Sequence, residues 1–136
     1  LAAHTAPSNA PHVTLLVRSS VSLASVPLPA AFPVALGAPV LFGAGERRVL
    51  ARSVVPSAEL LALHAALHEA AGPGDDAPHT APGEWMPHVT LARRLKVSAL
   101  ERALPLLGEP VTGMARGLRR WDAASATVTA LGEFGG

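Results

Sequence analysis

Hydrophobic and polar positions alternate along two short segments of the chain, and a proline precedes each segment. In residues 12–17 every odd-numbered position is apolar, whereas His12 and Thr14 fall on the opposite side of an extended backbone. Residues 88–91 repeat the alternation, again with a histidine and a threonine two residues apart. The pattern predicts two strands, each with a histidine and a threonine on one face.

The chain after the first of these strands predicts a hairpin. Apolar runs over residues 32–37, 38–43 and 47–55 predict strands, the first two forming either separate strands or one bulged strand. Residues 43–46 are rich in glycine and predict the turn between them.

Two helices are predicted from their end signals. Ser57 is a good N-cap for a helix over residues 58–71, and Gly72 with the following Pro-Gly pair ends it. Ser98 is predicted to cap a second helix that runs to about residue 107.

The remaining strands favour an α+β fold. The second histidine strand is predicted over roughly residues 85–92, and residues 111–120 and 126–134 are predicted to form an antiparallel pair. Because hairpins rather than long crossovers connect the strands, α+β is favoured over a doubly wound sheet.

Composition limits the class of protein. The chain has 136 residues, of which 49% are hydrophobic, and its mean hydropathy is +0.33, which predicts one domain over residues 1–136. It contains no cysteine, so disulfides, cysteine-ligated metals and a thiol nucleophile are excluded. No apolar stretch reaches the length of a membrane span. We expect a cytoplasmic protein.

Basic side chains concentrate in residues 93–120, whereas the rest of the chain is slightly acidic. Such a segment attracts a phosphate-bearing partner or simply forms a solvated surface, and charge alone does not separate the two.

A sequence repeat carries the main functional signal. Residues 11–15 and 87–91 both read Pro-His-Val-Thr-Leu, and residues 4–7 and 79–82, which precede them, both read His-Thr-Ala-Pro. A match of this length predicts two copies of one structural unit, related by a pseudo-two-fold axis.

Two histidines that face one groove can perform acid–base catalysis at phosphorus. One neutral imidazole, of His12 or His88, removes a proton from the attacking oxygen, and the other, protonated, donates to the leaving oxygen. The hydroxyls of Thr14 and Thr90 would hydrogen-bond the non-bridging phosphate oxygens. No metal or other cofactor is needed for this chemistry.

These motifs resemble the two-histidine (2H) phosphoesterase superfamily, and especially its 2′-5′ RNA ligase-like or cyclic phosphodiesterase branch. The second motif reads in full Trp85-Met86-Pro87-His88-Val89-Thr90-Leu91-Ala92-Arg93. The resemblance implies a bilobal fold in which two antiparallel β-rich lobes, with helices outside, line a central cleft. It also implies action on 2′,3′-cyclic phosphates or 2′-5′ phosphodiester linkages of RNA or nucleotides. No membrane or protein partner is evident.

The resemblance adds Arg93 to the site, because the ligase-like branch has an arginine five residues after its second histidine. Strand alternation alone places Arg93 on the face opposite His88, so a bulge or the strand's end near Ala92 has to turn it inward. Arg18 stands one place later in the first motif and is a weaker candidate. Family members have a strand and a helix before the first motif, and we expect this chain to be N-terminally truncated.

Other residues keep more than one interpretation. Trp85 either stacks on a substrate base or anchors the loop before the second motif. His64 and His68, four residues apart on the predicted helix, are interpreted as a helix-surface pair rather than a metal site. His4 and His79 are interpreted as structural or rim residues of the matching loops.

Three hypotheses follow for the function. The first is a metal-independent phosphoesterase that uses His12 and His88, with the sequence leaving open which is base and which is acid. The second is an RNA- or nucleotide-binding module with little turnover. The third is a metal-dependent hydrolase that uses His4, His12, His79 and His88.

Overall fold

A hairpin of two long strands organises the larger sheet. The computed structural model describes residues 11–23 and 25–135. In it β1 (Phe32–Phe42) pairs antiparallel with β2 (Arg47–Val54). The connecting turn contains Gly43 and Gly45 at φ of 100° and 79°, which residues with a Cβ avoid. The register of β1 shifts between Leu36 and Pro39, so the two predicted runs form one bulged strand.

Two further strands complete the larger sheet. β3 (His88–Lys96) pairs with β2, and β4 (Val111–Ala115) pairs with β1, which gives an antiparallel sheet in the order β3-β2-β1-β4. β5 (Gly117–Asp122) and β6 (Thr127–Glu133) form a separate two-stranded sheet. The fold is α+β, as predicted, and the pseudo-two-fold relation between two lobes stays a prediction.

The single strand predicted over residues 111–120 is wrong. The chain leaves the larger sheet at Arg116, and Gly117 begins the smaller one. A Cβ on Gly117 would lie 3.1 Å from the carbonyl oxygen of Gly132, so glycine permits the close approach of β5 and β6.

The first helix begins and ends where the sequence predicts, whereas the second does not. α1 (Ala58–Ala71) has the predicted bounds, and Ser57 Oγ accepts a hydrogen bond of 3.3 Å from the backbone N–H of Leu60. The second predicted helix is wrong in extent, because α2 covers only Leu100–Ala103 between two short 3₁₀ turns, and Ser98 does not cap it. Pro105 explains the early end, since it lacks the N–H that would continue the helix. No helix among the described residues is long and apolar enough to cross a membrane.

One hydrophobic core joins α1 to the sheets. It includes Leu60, Leu63 and Leu67 of α1, which recur at helical spacing, and the stacked rings of Phe32 and Phe134, whose centroids are 5.9 Å apart. A parallel bridge between Ala30 and Gly135 closes the same region. The backbone N–H of Ala31 donates to the Gly135 carbonyl at 2.7 Å there.

The strand predicted over residues 12–17 is also wrong. The segment forms no ladder with any described strand, and a side chain or a loop amide instead binds several of its carbonyl oxygens. The alternation still holds at its centre, where Leu15 is buried in the core. The alternation fails at Leu16, an even-numbered residue that packs against the core, and at Val17, an odd-numbered residue that is exposed.

Candidate active site

Both histidine motifs border the same cavity. The cavity has a volume of about 420 Å³. All six residues predicted for the site line it, namely His12, Thr14, Trp85, His88, Thr90 and Arg93. The fold therefore brings together two segments that lie far apart in the sequence.

The second motif is presented by a regular face of the larger sheet. In the β2–β3 ladder, His88 lies opposite Ser53 and Thr90 lies opposite Ala51, which is fully buried. Directly paired residues in an antiparallel ladder project to the same side of the sheet. His88 and Thr90 thus share one face, as the alternation predicted.

A bulge in β3 brings Arg93 to that face. Thr90 pairs with Ala51, and Ala92 pairs with Leu50. The chain therefore advances by two residues along β3 where it advances by only one along β2. The extra residue reverses the alternation and turns Arg93 to the cavity side. Of the two explanations that the sequence left open, a bulge and the strand's end near Ala92, the structure shows the bulge, since β3 continues to Lys96.

Hydrogen bonding fixes which nitrogen of His88 carries a proton. The Nδ1 atom lies 2.7 Å from the carbonyl oxygen of Met86, and because a carbonyl only accepts, Nδ1 is the donor. In the neutral ring Nε2 is then unprotonated and able to accept a proton. The ring of Phe42 packs against His88 with centroids 4.4 Å apart.

Trp85 anchors the first motif to the second. Its indole Nε1 donates to the carbonyl oxygen of Thr14 at 3.0 Å. Its ring stacks in parallel on the imidazole of His64, with centroids 3.8 Å apart. The anchoring interpretation is confirmed, and contact with a substrate base stays a prediction because the side chain also lines the cavity.

The interpretation of His64 and His68 as a helix-surface pair is wrong, because both side chains are buried. His64 Nε2 donates to the carbonyl oxygen of Thr80 at 2.7 Å, and His68 Nε2 donates to that of Leu15 at 2.8 Å. The signal was present in the sequence. The two histidines fall within the same i, i+3, i+4 stripe as the buried leucines of α1.

The hydrogen bonds of Arg18 give it a structural role outside the cavity. Its guanidinium donates to Asp76 Oδ1 at 2.9 Å and to the carbonyl of Gly72 at 2.8 Å, so it binds the C-terminal end of α1. The hydrogen bond from Arg18 lowers the pKa of the Asp76 carboxyl. Arg18, the weaker candidate of the first motif, is not among the residues that line the cavity, whereas Arg93 is.

Burial makes His64 sensitive to acid. Desolvation lowers the pKa of this imidazole below its usual value, so the unfolded chain binds the proton more readily than the folded chain. The folded state is thus expected to lose stability as the pH falls below about 6.5. His64→Gln keeps a donor for Thr80 but does not titrate.

Urea unfolding of both chains between about pH 7.5 and 5 measures this effect. The free energy of unfolding of the His64→Gln chain should depend less steeply on pH than that of the parent. His68, Arg18 and Asp76 face His64 or His68 and are present in both chains, so the difference in slope isolates residue 64. If the free energy of unfolding depended equally steeply on pH in the two chains, His64 would not be the source of the acid sensitivity.

The metal-site alternative has no cluster among the described residues. In residues 11–23 and 25–135 no three His, Asp or Glu side chains lie in a group that could hold a metal ion. His79 lines the cavity with a left-handed backbone at φ 64°, and His4 lies outside the described residues.

Comparison with known proteins gives one match. The family model described as the 2′-5′ RNA ligase superfamily matches residues 22–132. The match contains the whole second motif, and the first motif precedes it. No curated protein and no solved structure matches the chain significantly.

Proposed function

Because the chain belongs to the 2′-5′ RNA ligase superfamily, which is the 2H phosphoesterase superfamily, we propose that it is a metal-independent phosphoesterase for RNA or nucleotides. Its substrates are 2′,3′-cyclic phosphates or 2′-5′ phosphodiester linkages. The observation that carries the proposal is the shared cavity, in which both His-x-Thr motifs and Arg93 face the same space.

His12 and His88 form the acid–base pair. In hydrolysis of a cyclic phosphate, one imidazole removes a proton from the attacking water as its oxygen bonds to phosphorus. The other imidazole gives a proton to the ribose oxygen whose bond to phosphorus breaks. We assign the base role to His88, whose Nδ1–H donates to Met86 and leaves Nε2 for the transfer. The roles exchange in the ligating direction.

Thr14, Thr90 and Arg93 hold the phosphate between the two rings. The threonine hydroxyls donate to non-bridging oxygens, and the guanidinium offers charge-assisted hydrogen bonds to the same group. Negative charge grows on these oxygens as the attacking oxygen bonds to phosphorus, so the contacts strengthen in the transition state.

Turnover of a 2′,3′-cyclic mononucleotide in EDTA tests the proposal directly. The folded parent chain should produce a phosphomonoester at the same rate with EDTA and with added divalent metal. A 2′-5′-linked dinucleotide serves as the second substrate. Activity that appears only with metal would favour the hydrolase with metal-ligating histidines. Binding of both substrates without turnover of either would favour the binding module.

Arg93→Met is expected to lower kcat/KM by roughly 10- to 100-fold, because a charge-assisted contact to the phosphate is lost. Arg93→Lys should recover only part of the lost kcat/KM, since an ammonium does not reproduce the planar pair of donors that a guanidinium offers. Arg94→Met removes the same charge from the next residue, which does not line the cavity, and should change kcat/KM less than about twofold. Equal losses in the two methionine variants would show that only net charge matters.

A further inference from the structure

Side-chain and loop donors hold the first motif in place. Its segment forms no β-ladder within residues 11–23 and 25–135, and several of its carbonyl oxygens accept from such donors instead. Trp85 Nε1 donates to Thr14 at 3.0 Å, His68 Nε2 donates to Leu15 at 2.8 Å, and the backbone N–H of Ala77 donates to Val17 at 3.0 Å. Two of these three donors are side-chain rings.

We propose that His68 and Trp85 are positioning residues that together set His12 opposite His88 in the cavity. This inference rests on the proposed function, since it concerns the same acid–base pair. Neither residue takes part in proton transfer. Each binds a backbone carbonyl within three residues of His12, and so fixes where the first imidazole stands.

The two donors belong to different elements and bind consecutive carbonyl oxygens, those of Thr14 and Leu15. Trp85 belongs to the loop that leads into β3, whereas His68 belongs to α1. Because separate elements hold neighbouring carbonyls, the segment is restrained relative to both elements.

The two ring donors are themselves held in place. The indole of Trp85 stacks on His64, and the rings of His64 and His68 lie 4.4 Å apart. His68 Nδ1 lies 3.7 Å from Asp76 Oδ1, the oxygen to which Arg18 donates. The His68 side chain is buried, so a donor lost there would not be replaced by water and would weaken the hydrogen bonding of the Leu15 carbonyl, which His64 also approaches. The first motif, α1 and the loop before β3 thus form one rigid support.

Four variants separate positioning from general stability. His68→Leu removes the donor to Leu15, and His68→Gln restores it, because the glutamine Nε2 lies the same number of bonds from Cβ. Trp85→Phe keeps an aromatic ring against His64 but loses the donor to Thr14. Leu67→Ala is the matched control, since it removes a buried side chain from α1 without touching either tether.

The kinetic result expected is a loss in kcat. His68→Leu and Trp85→Phe should each lower kcat by about 10²-fold with KM changed less than about threefold, since a misplaced catalytic group slows the reaction without weakening phosphate contacts. His68→Gln should recover kcat to within about fivefold of the parent. Leu67→Ala should lower Tm at least as far and leave kcat within about twofold at temperatures where it is folded. Loss of kcat in Leu67→Ala, or no rescue by glutamine, would overturn the proposal.

Amide hydrogen exchange provides a second readout that needs no turnover. The backbone N–H of Ala77 donates to the Val17 carbonyl, so its exchange rate reports whether the first motif stays in place. In His68→Leu this amide should exchange faster than in the parent, with α1 and β2 little changed. Leu67→Ala should instead speed exchange throughout the core. If the parent shows no activity, the proposed function fails, while faster exchange at Ala77 still supports the positioning role of His68. If exchange at Ala77 is unchanged in His68→Leu, the positioning role is wrong whatever the activity.

Discussion

His88→Ala and His12→Ala are each expected to lower kcat for a 2′,3′-cyclic mononucleotide by about 10²-fold or more, in EDTA and at unchanged fold. Each variant removes one of the two imidazoles whose proton transfers belong to the same reaction step, so the residual rate comes from the remaining imidazole and from the phosphate contacts that Thr14, Thr90 and Arg93 provide. The double variant should lie close to the single variants rather than at the product of their losses. Initial rates measure the loss of kcat, and circular dichroism checks that the fold is unchanged.

The pH profile and a third histidine sharpen the test. The parent should show a bell-shaped dependence of kcat/KM on pH, because one imidazole must be neutral and the other protonated. His79→Asn is the control, since His79 lines the same cavity and asparagine tolerates its left-handed backbone. Its rate should fall at most a few fold. A loss as large as in His88→Ala, together with loss of the parent's activity on chelation, would favour the metal-dependent hydrolase.

Arg52→Met is expected to lower the free energy of unfolding by about 2–4 kcal/mol. The Arg52 side chain is buried and donates to three successive carbonyls, those of Leu107, Gly108 and Glu109, at 2.7–2.8 Å. Methionine fills much of the same volume but donates nothing, so these acceptors lose their partner in a partly buried site. Urea denaturation at pH 7 measures the change.

Arg47→Met is the comparison for this prediction. Arg47 lies on the same strand and also donates to a carbonyl, that of Arg94 at 3.1 Å, but the contact is exposed. Its loss should cost less than about 1 kcal/mol, since water replaces the donor. Arg52→Lys should fall between the two methionine variants, because one ammonium does not span the three carbonyls that the guanidinium reaches. If Arg52→Met and Arg47→Met lowered the free energy of unfolding equally, the buried hydrogen bonds of Arg52 would not explain its contribution to stability.

The parts of the fold that depend on neighbouring residues could be predicted from the sequence. Ser57 and Gly72 mark the ends of α1 by local hydrogen bonds, and both bounds of that helix are confirmed. The turn at residues 43–46 follows from glycines that adopt positive φ. The repeated motif predicted a shared site, and both copies do line one cavity. The family resemblance placed Arg93 in the site, and strand alternation then required a bulge or the strand's end near Ala92 to turn it inward.

What depends on distant partners could not be predicted in the same way. A strand pattern does not name its neighbour. The antiparallel pairing predicted between residues 111–120 and 126–134 is confirmed for β5 with β6, but nothing in residues 111–120 indicated that β4 would separate from β5 and join β1. The first motif has the alternation of a strand, yet a strand also needs a ladder, and its carbonyls found side-chain donors instead. The predicted surface position of His64 and His68 is wrong, because their spacing alone does not say which face of the helix is buried. Their shared stripe with the leucines was the better guide.

The bridge between Ala30 and Gly135 has a consequence for how the chain folds. This bridge and the β1–β4 ladder both join residues from distant parts of the sequence, so forming them requires the closure of large loops. Contacts of this kind slow folding to the millisecond-to-second range, whereas α1 and the two hairpins need only local contacts and form sooner. Docking of residues 12–17 requires α1 and the loop before β3 to be in place first. A refolding chain should therefore regain α1 and the two hairpins before it regains the cavity.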